Sequence, residues 1–209
     1  MNTGTRDSLQ QKPQIALDRR AREVLDYWLG APDSAEYGRE RRFWFQPSTE
    51  VDAVIRSRFL SVHTDAVAGK CNTWTTTTLG ACALILVFDQ FSRHLYRGTP
   101  DAFASDARAL AITRNLVEQG EDQHLPTPYH RCFVYLPFEH DESMHSQRES
   151  LRLFEALKHE TGLTTPFEWA VKHAEVIERF GRYPHRNKIL GRLSSTEEAA
   201  FLREPGSSF

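Results

Sequence analysis

From Asp18 onward, apolar side chains recur every three or four residues, the interval that lines one face of an α-helix. Asp18 is placed to cap a first helix carrying Val24, Leu25, Trp28 and Leu29, which Gly30-Ala31-Pro32 ends. Val51, Ile55, Phe59, Val62 and Ala66 mark the inward face of a second, from about Glu50 to Val67, stopped by Gly69. The third, roughly Thr76 to Tyr96, is apolar on every side through Leu84-Ile85-Leu86-Val87-Phe88, as expected of a helix surrounded by others. Thr99-Pro100 offers a hydroxyl cap followed by proline at the first helical position, and predicts a fourth helix with Phe103, Ala107, Leu110 and Ala111 inward and Gly120 at its end. Thr127-Pro128 repeats the device for a short helix through Phe133 and Leu136. A helix from about Asp141, its N-cap, to Glu160 carries Leu151, Phe154 and Leu157. Thr165-Pro166 opens the next, with Glu168 completing a capping box, and Ser195-Thr196-Glu197-Glu198 is another such box before a short helix that Pro205 terminates.

No segment alternates apolar and polar residues between hairpin turns, so the chain reads as all-α. Its 209 residues suit one core: a single domain of about eight helices over 16–209, after a polar, aperiodic and flexible tail over 1–15. A composition 40% hydrophobic and 26% charged excludes disordered and fibrous classes. With 26 basic against 28 acidic residues there is no global field for a nucleic acid or an anionic membrane, and neither is expected as a partner. Cys71, Cys82 and Cys132 are odd in number and form no C-x-x-C pair, so they read as core residues rather than disulfides or a zinc ribbon. The N-terminus lacks the apolar stretch of a secretory signal, and the longest apolar run, Leu79 to Phe88, is about half of what spans a bilayer; the expected location is cytoplasmic.

Four places put polar groups where apolar ones belong, and buried polar groups persist only when something satisfies them. Asp89, Gln90, Arg93, His94 and Arg97 continue the most hydrophobic helix; Asp89, Arg93 and Arg97 follow at steps of four, so an ion pair along one face is the plain alternative to a site. Pro137-Phe138-Glu139-His140-Asp141-Glu142 is a proline-broken junction in which His140 has no structural assignment. Glu142 and His145 make an E-x-x-H spacing, but a di-metal bundle needs two such motifs, so no metal is expected. His173 lies at steps of four from Trp169 and Ile177, on an apolar face, where a hydrogen-bonded core histidine is the alternative. Between Arg179 and Arg192 no acid occurs, and aromatic, Gly, Pro and Asn residues are threaded among the basic ones, which suits a fixed anion-binding loop as well as a solvated one.

The tracts Phe88-Asp89-Gln90-Phe91 through Arg97-Gly98-Thr99-Pro100, Tyr135-Leu136-Pro137-Phe138 with His140, Glu142 and Gln147, and Arg179-Phe180-Gly181-Arg182 through Leu190-Gly191-Arg192 resemble the bacterial family named domain of unknown function 924, over about Val24 to Leu202. The resemblance implies an all-helical fold of tetratricopeptide-like helical hairpins and brings no reaction, ligand or partner with it. Asp89, Gln90, Arg93, Arg97, His140, Glu142, Gln147, His173, Arg182, His185, Arg186 and Asn187 fit the family pattern. Ser92, His94, Asp141 and Tyr183 depart from it, and His94 adds an ionisable group to the site.

The leading expectation is that these residues meet in one cleft between helices and bind a small anionic molecule, a carboxylate or a phosphate. Arg93, Arg97, Arg182, Arg186 and Asn187 would hold the anion, and His140, Glu142 and His185 would be the catalytic acid/base groups if the protein is an enzyme. Asp89, Gln90, His94, Gln147 and His173 would support them. Neither a glycine-rich phosphate loop nor a dinucleotide fingerprint occurs, so no cofactor is expected. The competing readings are a tetratricopeptide-like module gripping an acidic peptide and a purely structural polar network.

Overall fold

The computed structural model describes residues 16–44, 46 and 48–207; the tail expected over 1–15 lies outside them. Asp18 caps α1 (Arg19–Leu29), its carboxylate accepting the Arg20 N–H at 2.7 Å, and Gly30 at φ +87° ends it. Helix α2 (Thr49–Val67) starts from the Ser48 hydroxyl and buries Ile55, Phe59, Val62 and Ala66, four of the five positions its period marks. The next helix begins at Thr78, two residues after its expected start, because Asn72–Thr76 forms a 3-10 turn and Thr77 supplies the cap. Thr78–Leu86, Val87–Phe91 and Ser92–Leu95 then run on as one helix, α3, buried without a break from Gly80 to Ser92. Its all-round hydrophobicity places it centrally, packed by α1 and α2 and by the two helices that follow it.

The Thr99-Pro100 start is a correction: it yields only the 3-10 turn Pro100–Ala102. The Thr99 hydroxyl donates back to the Tyr96 carbonyl at 2.8 Å instead of capping, and α4 (Asp106–Glu118) opens at Asp106. Thr127 does cap α5 (Pro128–His140), which continues past its expected end and through Pro137. Asp141 closes α5 rather than capping α6 (Met144–Thr161), since its carboxylate is taken by the Ser146 hydroxyl. Helix α7 (Thr165–Phe180) opens from Thr164, one residue before the expected cap, so the box with Glu168 does not form. The Ser195–Glu198 capping box of α8 (Thr196–Phe201) forms as expected.

The fold is all-α, with no strand among the described residues. Consecutive helices α4 to α7 pack on one another, joined by short links such as Asp141-Glu142-Ser143. The main core runs from α1 to the start of α7; a second, small core gathers Val176, Ile177 and Tyr183 with Met144, Phe180 and Phe201 around the loop after α7. No helix among the described residues is long and apolar enough to cross a membrane.

Candidate functional site

Val87–Phe91, inside α3, is a π-helical turn. Such turns cost hydrogen-bond geometry and recur at functional sites, and this one carries Asp89 and Gln90. Asp89 is fully buried; its carboxylate accepts from His140 Nδ1 at 2.6 Å and from Gln90 Nε2 at 2.6 Å, with the Arg93 guanidinium 3.3 Å away. Arg93 also forks Asp106 at 2.9 and 3.1 Å. Burial favours the neutral acid, but Arg93, His140 and Gln90 outweigh it and hold Asp89 below the usual carboxylate range. An ionised carboxylate only accepts, so His140 carries its hydrogen on Nδ1 and Nε2 is left as the acceptor. Burial first, then Arg93, holds the His140 pKa below the ordinary value, so the ring is neutral at pH 7.

The last carbonyls of α5 have no helical partners, and Gln147 Nε2 collects those of Glu139 and Asp141, at 2.8 Å each. The Tyr183 hydroxyl donates to the Glu139 carbonyl as well, tying α6 and the loop after α7 to this helix end. Under that clasp the Glu139 side chain is 3% exposed. Its Oε1 lies 3.3 Å from His173 Nδ1, while Oε2 has no hydrogen bond. Burial, with Asp89 adding repulsion, pushes its pKa up to about 8, so the carboxyl is protonated at neutral pH. His173 Nδ1 donates to the Trp169 carbonyl at 2.9 Å, and burial drives its pKa down to about 3.

In the loop after α7, Arg186 is buried with its guanidinium over the Phe103 and Tyr183 rings, at 4.8 and 4.6 Å from their centroids. Its nearest acid is Asp106, at 3.8 Å. The guanidinium makes no hydrogen bond among the described residues, and its buried Nε is unsatisfied. Burial, and then Arg93, pull its pKa below the ordinary value. Burial likewise lowers His185, to about 4.

A cavity of about 510 Å³ opens among these elements. Of the residues singled out in the sequence, Gln90, Arg93 and His94 line it from α3 and Arg97 from the turn just after it, His140 and His173 from α5 and α7, and His185 and Arg186 from the loop. Asp89 stands behind His140. Arg97 and His94 share Asp52, which Arg97 forks at 2.8 and 2.7 Å and His94 Nδ1 meets at 2.6 Å. Arg182, Glu142, Gln147 and Asn187 do not line the cavity. Arg182 forks Glu198 at 2.6 and 2.8 Å, and Glu142 accepts both the Arg192 fork, at 2.6 and 2.9 Å, and the Tyr183 N–H. Asn187 accepts from Arg192 Nε at 2.9 Å. These four brace the loop that presents Arg186. No group of three or more His, Cys, Asp or Glu side chains gathers as a metal site among the described residues.

Glu139 lines the cavity and was missed in the sequence, although a signal existed. Cys132, Leu136 and Glu139 follow at steps of four and three, so this acid continues the apolar stripe of α5, whereas Glu142 lies beyond the helix.

Fold and site together define an all-helical protein whose most hydrophobic helix ends in a charged, partly enclosed cavity. The chain belongs to the family described as bacterial protein of unknown function, DUF924, which it matches over residues 24–206. It is similar to a solved protein of unknown function from Agrobacterium tumefaciens, 31% identical, with a TM-score of 0.76 over 88% of this chain and 96% of that one. No curated protein matches it.

Proposed function

We propose that the cavity binds a small anionic molecule at Arg186 and exchanges protons with it. The observation that carries this is a buried guanidinium on a cavity wall with no hydrogen bond. A buried guanidinium with its donors unused is costly, and an anion in the cavity supplies acceptors for them. Arg93 and Arg97 are already forked by carboxylates, so Arg186 is the anchor and the other two shape the field. The volume falls in the range of small-molecule sites.

Two groups of opposite character stand near the anchor. Asp89 orients His140 so that its free acceptor nitrogen can take a proton, and Glu139 holds a proton that it can give up near neutral pH. The acid role expected of Glu142 passes in this reading to Glu139, because Glu142 is held by Arg192. A self-contained structural network would satisfy its own members; Arg186 Nε and Glu139 Oε2 are unsatisfied.

Thermal shift of wild type and Arg186→Lys against carboxylates, phosphates and acidic peptides tests this. Small anions should raise the wild-type melting temperature, and Arg186→Lys should fold but bind at least tenfold more weakly, having kept its charge and lost the planar fork. If nothing stabilises wild type and the variant melts early, the network is structural. If only acidic peptides bind, the protein is a tetratricopeptide-like interaction module. Once a small anion is found, Glu139→Gln should lose turnover and keep binding.

A further inference from the structure

The cavity is asymmetric, and α5 shows how. Tyr129, Cys132, Phe133, Leu136, Glu139 and His140 all line it, at the spacing of a single helical face. Along that face the lining changes from apolar to ionisable, and at 1.5 Å per residue the apolar part from Tyr129 to Leu136 is about 10 Å long. The Tyr129 end is aromatic, with Trp44 packing its ring 5.1 Å from Tyr129 and 4.9 Å from Phe133, and Glu40 and Gln46 are its polar lining. Trp169, 43% exposed, stands on the wall formed by α7. At the other end of the stripe stand Glu139 and His140, with Arg93 joined to His140 through Asp89 and Arg186 joined to Arg93 through Asp106.

The charge balance at that end separates the candidate anions. Asp89 and Asp106 are close by and face two cations between them: Arg93 lies 3.3 Å from Asp89 and 2.9 Å from Asp106, and Arg186 lies 3.8 Å from Asp106. The two acids and the two guanidiniums balance, so a ligand's charge is added to a cluster with no net charge. A carboxylate monoanion adds one negative charge there and meets the unused donors of Arg186, whereas a phosphate dianion would add two beside the same acids. Glu139, being protonated, adds no repulsion and can donate a hydrogen bond.

We propose, building on the anion site above, that the ligand class is an amphipathic monocarboxylate: a carboxylate on Arg186 with an alkyl or aryl body lying along the apolar stripe of α5 toward Trp44. A small polar acid would leave that aromatic half in contact with water. An alcohol of the same length would leave Arg186 without its partner.

Calorimetric titration of the full chain with straight-chain monocarboxylates from acetate to decanoate, alongside octanol, octyl phosphate and inorganic phosphate, tests this on wild type alone. Affinity should rise three- to fourfold per methylene until the stripe is filled, and octanoate should bind at least tenfold tighter than octanol and octyl phosphate. Leu136→Asn, which is half-buried on the stripe, should flatten the chain-length gain and leave acetate unchanged. If acetate or phosphate binds as well as octanoate, the amphipathic ligand is wrong and the anion site stands. If octyl phosphate binds tighter than octanoate, the carboxylate head is wrong. If octanol equals octanoate, or nothing binds, the Arg186 site fails and this inference with it.

Discussion

Glu139 shows what one residue can reveal. Its folded-state pKa of about 8 lies above the ordinary 4.5, so the folded chain keeps a proton that the unfolded chain releases. Stability contributed by this group is complete below pH 4.5, declines as pH rises toward about 8, and is level beyond that. At pH 7 the burial of Glu139 costs about 3 kcal/mol by this linkage. Glu139→Gln removes the titration and keeps the shape. It should stabilise the protein by about 4 kcal/mol at pH 8 and by almost nothing at pH 4.5. Urea unfolding at the two pH values checks this, and an equal effect at both would mean that the carboxyl ionises normally. Arg186, Asp89 and His140 were legible because each breaks a local pattern in a recognisable tract. Glu139 was hidden between stronger signals, since its burial comes from Gln147 on the next helix and Tyr183, 44 residues away, folding over the helix end.

At the scale of elements, the legible features were those encoded within a few residues. Asp18, Thr127 and Ser195 cap where they should, because a hydroxyl or carboxylate needs only the next turn's N–H groups. Thr99 and Thr165 carry the same signature and fail, the first because its hydroxyl finds the Tyr96 carbonyl. The π turn had no local signature: a run of apolar residues reads the same whichever hydrogen-bond register it adopts. Another nonlocal feature is the start of α3. Alanine normally improves a helix over glycine by about 1 kcal/mol, yet a Cβ on Gly80 would stand 2.2 Å from the Trp74 carbonyl oxygen and 2.7 Å from the Thr77 hydroxyl. Gly80→Ala should therefore destabilise, by roughly 2 kcal/mol or more. A melt followed by circular dichroism reads the sign directly; a gain in melting temperature would mean that the 3-10 turn before α3 yields easily.

Across the whole molecule the buried titratable groups set the acid limit of stability. His63, His94, His130, His140, His173 and His185 are all held below their ordinary pKa, each mainly by burial. Below about pH 6.5 the unfolded chain takes up protons that the folded one refuses, so stability is lost progressively as pH falls toward about 4. Glu139 acts in the opposite direction, but it is one group against six. Calorimetry at pH 7.5 and pH 5 should give a clearly lower melting temperature at pH 5, with several protons taken up on unfolding. An unchanged melting temperature would show that these imidazoles are not shielded from water.

The two cores also divide the cavity between them: Trp44, Phe133 and Phe154 belong to the large one, while His185 and Arg186 ride on the loop built over the small one. A molecule of the proposed kind seated between them would touch both. Its contacts would then fasten the few side chains of the small core to the large one, and binding would raise the stability of both together.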